Sequence, residues 1–168
     1  MGKAKQISVC AVLIALALAL SYAERWIPLQ LLVPVPGIKL GLANIVTLVA
    51  LYLFNTKCAF LILIPRCVFG AVFGGGITGL AFSLFGGILA LAVMALMKRV
   101  KGLSVFGVSV LGAAAHNIGQ ILAAMVLMNS VYIGAYLSYL LIVSVITGLM
   151  TGGLCAGVLR VLAGGEKQ

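Results

Sequence analysis

Between Lys101 and Arg160 lie 58 consecutive residues without a Lys, Arg, Asp or Glu. As a helix this stretch is about 87 Å long. That is nearly three times the ~30 Å apolar core of a bilayer, so at least two crossings are needed. The whole chain follows the same pattern. Of its 168 residues, 64% are hydrophobic and 8% charged, against roughly 25% charged in a soluble domain. Eleven basic and two acidic side chains cannot cover a wetted surface, which excludes a water-soluble enzyme. A disordered chain needs low hydrophobicity and is excluded too. The runs are continuously apolar instead of alternating, which argues against a membrane β-barrel. The chain reads as an all-α integral membrane protein, a compact six-transmembrane-helix bundle in a single domain over residues 1–168.

Charges and turn residues divide the chain into spans near 7–23, 40–56, 58–75, 77–97, 104–128 and 132–158. Cys67 to Met97 is 31 uncharged residues, roughly 46 Å as helix, so a reversal is expected at Gly74-Gly75-Gly76. Asn129-Ser130 is the best interruption of the longest run. The last span is long, and its glycines at 148, 152, 153 and 157 predict a tilt, kink or partial unwinding. With six spans both termini share a side. The inner segments then carry Lys3, Lys5, Lys57, Lys98, Arg99, Lys101, Arg160 and Lys167, and the outer ones Arg25 and Lys39. The positive-inside rule therefore predicts cytoplasmic termini in a bacterial or archaeal cell membrane. The net charge of +9 comes from these clusters and not from a nucleic-acid face. Cys10, Cys58, Cys67 and Cys155 have no CxxC spacing and read as free thiols. No metal or other cofactor is implied.

Polar residues within apolar runs mark the candidate site. Arg66, after Pro65, costs several kcal/mol in lipid unless it is paired, solvated or turned to a cavity. Glu24 is the one carboxylate outside the C-terminal tail, so a structural Glu24–Arg66 pair and an anion contact at Arg66 both remain open. His116 and Gln120 share a helix face, with Asn117 beside them. Asn44 sits in the second span. The loop 24–39 holds Trp26, Pro28, Pro34, Pro36 and Lys39; it is either a lid or a shaped turn. Substrate contacts are expected from Glu24, Trp26, Lys39, Asn44, Arg66, His116, Asn117 and Gln120. Ala11, Ala15 and Ala19 form a small-residue stripe suited to close helix contact, within the bundle or with a partner.

These residues carry a family resemblance over nearly the whole chain. Glu24 through Pro28, PGIKLGLANIVTL (36–48), Arg66, FSLFGG (82–87), SVLGAAAHNIGQ (109–120) and ITGLMTGG (146–153) resemble the Gx transporter, or heptaprenyl diphosphate synthase component I, family. In size and layout the chain is similar to S components of energy-coupling-factor transporters. That similarity implies an outer substrate cavity, the 24–39 loop as lid, and a membrane coupling subunit docked on Ala11, Ala15 and Ala19. Cytoplasmic ATPases would supply the energy.

The leading expectation is thus a membrane substrate-binding or uptake component for a small organic solute, anionic or isoprenoid-like, working with a separate energising module. One alternative is a non-catalytic membrane partner in prenyl diphosphate or quinone metabolism; another is an assembly subunit of a redox complex. Its partners would be a small-molecule or lipid-like substrate and membrane lipids, with no nucleic acid. Catalysis by this chain is not expected. Prenyl diphosphate synthases hold magnesium with clustered aspartates, whereas this chain has no aspartate and its glutamates, Glu24 and Glu166, are 142 positions apart.

Overall fold

A computed structural model describes residues 3–26, 39 and 41–165. It is an all-α, membrane-embedded bundle of six helices. These are α1 (Lys3–Ala23), α2 (Asn44–Leu53), α3 (Thr56–Gly70), α4 (Gly76–Met97), α5 (Val105–Leu127) and α6 (Leu137–Gly165). A 3-10 turn, Glu24–Trp26, ends α1, and another 3-10 segment, Val131–Tyr136, leads into α6. Among the described residues, four helical stretches are long and apolar enough to cross a membrane: Thr56–Phe73, Gly76–Met97, Val105–Leu127 and Val131–Val161. Their outer faces carry Leu61, Phe69, Phe85, Leu122, Ile142 and Leu154, apolar side chains whose natural solvent is lipid.

The second element is shorter than the 17-residue span expected from hydropathy. α2 has 10 residues, about 15 Å of helix, half the bilayer core. Hydropathy cannot see its two ends. Gly41 adopts φ +81°, a conformation open to glycine, and a turn at residues 42–43 leads into the helix. At the other end Phe54 leaves helical geometry, and Asn55 caps α3 by accepting from the Cys58 N–H. Val46 through Leu51 are all buried, so α2 is a core helix set among α3, α4 and α6.

α3 runs through Pro65 without breaking. It widens into a π-helical turn, Ala71–Gly75, and the chain reverses at Gly76, φ +63°. The longest run turns at Asn129, φ +47°, which asparagine tolerates better than most residues. α6 is continuous for 29 residues, without the unwinding expected at its glycines. Those glycines instead admit a neighbouring backbone. A Cβ on Gly148 would lie 2.5 Å from Val110 Cα, and one on Gly152 would lie 3.0 Å from Phe106 Cα. α5 is thereby pressed between α6 and α4, with Gly119 against the Phe85 carbonyl on the α4 side. This places both faces of the His116–Gln120 segment in protein.

Candidate functional site

The polar residues of α5 divide between two faces. Residues one apart on a helix are about 100° apart around the axis. His116 and Gln120 face α4 and the segment before α2, at Gly86, Gly41 and Lys39, while Asn117 turns toward α6 and donates to the Leu140 carbonyl at 2.9 Å. Gln120 is fully buried and clasps the chain at Lys39. Its Oε1 accepts from the Lys39 N–H at 2.9 Å, and its Nε2 donates to the Lys39 carbonyl at 3.0 Å. This pairing fixes the amide orientation. The second Nε2 proton goes to His116 Nε2, which must accept, so the imidazole proton sits on Nδ1. The ring fits between two glycines. A Cβ on Gly41 would meet Cδ2 at 2.7 Å, and one on Gly86 would meet Nδ1 at 2.8 Å.

Arg66 projects from α3 into the space beside this ring and is 4% exposed. Its Nη2 donates to Asn44 Oδ1 at 3.4 Å, a long contact, and its Nε has no partner. Glu24, at the end of α1, is also buried, and its carboxylate accepts from the Leu42 N–H. Among the described residues Glu24 and Arg66 form no direct ion pair; they face one cavity with Lys39, Ser21, Ser83 and His116. Lys39 Nζ donates to Ser83 Oγ at 3.1 Å. Burial pushes the Glu24 carboxyl above its ordinary range, opposed by the Leu42 N–H and then by the Arg66 and Lys39 charges. Two cations against one carboxylate leave this chamber biased toward an anion. Its free space is about 10 Å³, about that of a single water.

Glu24, Lys39, Arg66 and His116 are thus brought together, with Asn44 and Gln120 gripping the surrounding parts. Asn117 lies on the opposite face. Trp26 is 80% exposed and outside the chamber. The rest of the expected lid, residues 27–38, lies outside the described residues. Ala11, Ala15 and Ala19 face outward, whereas Ala17 is buried. Sequence reasoning missed Ser83 and Ser21 as wall residues. Ser83 stands inside FSLFGG, whose glycines at 86 and 87 admit His116 and Arg66. Also missed was a hydroxyl layer deeper in the bundle: Ser109 and Thr151 are hydrogen-bonded at 2.7 Å, beside Thr147 and Asn44.

Residues 13–158 match the family described as heptaprenyl diphosphate synthase component I. The chain belongs to that family. No curated protein and no solved structure matches it. The family match corrects the expectation of an S component of an energy-coupling-factor transporter, because the family is one of synthase components and not of transporters. The docking role given to Ala11, Ala15 and Ala19 rested on that similarity. The chain is an accessory component and not itself the catalyst.

Proposed function

We propose that this chain is a non-catalytic membrane partner in prenyl diphosphate metabolism, and that the chamber around Arg66 receives the anionic headgroup of an isoprenoid. The observation that carries this reading is the buried guanidinium with an unpartnered Nε and one long bond to Asn44. A buried cation left short of partners is costly, and phosphate oxygens are matched to arginine geometry. Lys39, His116 and Ser83 line the same space and supply further donors. The closed chamber admits about one water, so the headgroup enters only as Glu24 or the Lys39 segment gives way. The exposed Lys57, Lys98, Arg99, Lys101 and Arg160 mark the cytoplasmic end by the positive-inside rule. Lys98 Nζ donates to the Leu51 carbonyl at 2.7 Å, which joins the α2–α3 and α4–α5 junctions into one basic face, suited to an acidic catalytic partner.

The test is binding to the purified protein in phospholipid nanodiscs, with farnesyl diphosphate as probe and farnesol as control. The diphosphate should bind and the alcohol should not. Arg66→Gln should weaken binding about ten- to a hundredfold, the range of a lost charge-assisted hydrogen bond. Equal binding of both probes, or no effect of the substitution, would refute the reading.

A further inference from the structure

α1 is the helix least embedded in the bundle. Of its described side chains, Ala17 and Ser21 alone are buried. One end is tied by Glu24 to the Leu42 N–H. Toward the other end, Cys10 Sγ lies 3.1 Å from Cys58 Sγ of α3, although the residues are 48 positions apart. Both are free thiols. A groove of about 520 Å³ opens beside them, lined by Ile7, Ala11, Ile14 and Leu61, with Asn55 and Lys57 also on its wall. Cys10 is half-buried and Cys58 is 4% exposed. Cys67 and Cys155 are buried, and among the described residues neither touches another sulfur.

We propose that Cys10 and Cys58 form a reversible redox pair that couples α1 to α3 when a hydroperoxide enters the groove. The more accessible Cys10 sulfur attacks the distal peroxide oxygen. The O–O bond breaks, Cys10 becomes a sulfenic acid, and the peroxide leaves as an alcohol, or as water from hydrogen peroxide. Cys58 sulfur then attacks the Cys10 sulfur, the S–O bond breaks, and water departs with the thiol proton. Two thiols are oxidised and one peroxide is reduced. A disulfide needs the sulfurs at about 2.05 Å, so they must close by about 1 Å. The bond would fasten the loose end of the helix that carries Glu24, so oxidation restricts withdrawal of Glu24 from the chamber. This inference is independent of what the chamber binds.

The test treats the full chain in phospholipid nanodiscs with hydrogen peroxide, alkylates it with N-ethylmaleimide and reads intact and peptide masses. The expected product lacks two hydrogens, carries no maleimide at Cys10 or Cys58, yields a linked Cys10–Cys58 peptide and reverts with a reductant. Cys58→Ser should leave a sulfenic acid at Cys10 that dimedone traps. Cys10→Ser should protect Cys58 from oxidation. Amide exchange in the first half of α1 should slow on oxidation. The pairing is overturned if both thiols stay alkylatable, if each is oxidised without a linked peptide, or if the bond forms between chains. Unchanged exchange in α1 would overturn the tether.

Discussion

Gln120 holds the peptide groups of Lys39 as a neighbouring strand would, accepting from the N–H at 2.9 Å and donating to the carbonyl at 3.0 Å. A helix side chain thereby satisfies both backbone groups of a residue 81 positions away, just before α2. The same amide nitrogen fixes the tautomer of His116, so one residue sets both the wall and the protonation pattern of the chamber.

Removing that amide should be costly. Gln120→Leu keeps much of the volume but removes both hydrogen bonds between Gln120 and the Lys39 backbone. A net hydrogen bond contributes about 0.5–1.5 kcal/mol, so a loss of about 1–3 kcal/mol is expected. Thermal unfolding in detergent measures it, and amide exchange at Lys39 should accelerate in parallel. Wild-type exchange at Lys39 in this variant would show that the clasp contributes little.

Glu24 predicts a pH dependence of definite sign. Its folded carboxyl titrates above its ordinary range because of burial. The folded state therefore retains a proton that the unfolded state has already lost. Stability falls wherever the unfolded state binds fewer protons. The contribution is greatest below the ordinary glutamate value, near 4.5, and is lost as pH rises toward the folded value. Glu24→Gln should flatten this part of the profile. A variant with the wild-type slope would assign the slope to another group.

How much of this site the sequence exposes depends on the signal each residue carries. Arg66 and Glu24 are conspicuous because hydrocarbon tolerates charge poorly, and His116 and Gln120 follow from helical spacing. Asn117 is just as polar, yet one step of rotation sends it to the Leu140 carbonyl. Ser83 goes unnoticed because one hydroxyl barely changes the hydropathy of FSLFGG, although it receives the Lys39 ammonium. The reversal at Gly76 is legible from three consecutive glycines. The turn at Gly41 that precedes α2 is not, since an isolated glycine within KLGLAN leaves the hydropathy the same whether the chain is helical or reversed.

The helix crossings predict contrasting effects of one added methyl group. At Gly119 a Cβ would lie 2.7 Å from the Phe85 carbonyl oxygen and 2.8 Å from Gly86 Cα. Both are backbone atoms, so α4 and α5 must separate, which typically costs about 1–3 kcal/mol. At Gly157 a Cβ meets nothing within 4 Å. There Gly157→Ala should gain up to about 1 kcal/mol of helix propensity. Thermal melts of Gly119→Ala and Gly157→Ala should therefore move in opposite directions. A melt unchanged by Gly119→Ala would contradict the close crossing.

Ser109 and Thr151 join α5 to α6 through a 2.7 Å hydrogen bond, and both are buried. A hydroxyl pair in an apolar bundle invites a large energy, but each partner has somewhere else to go. Thr151 Oγ1 already lies 2.9 Å from the Thr147 carbonyl and 3.2 Å from that of Gly148. Removing Ser109 leaves those bonds intact. Measured interhelical hydrogen bonds in membranes average only about 0.6 kcal/mol, with a maximum near 1.7. A double-mutant cycle with Ser109→Ala and Thr151→Val should accordingly give a coupling of about 0.5–1 kcal/mol, below the cost at Gly119. A coupling above the membrane maximum would mean that this pair, and not the glycine crossings, sets the α5–α6 contact.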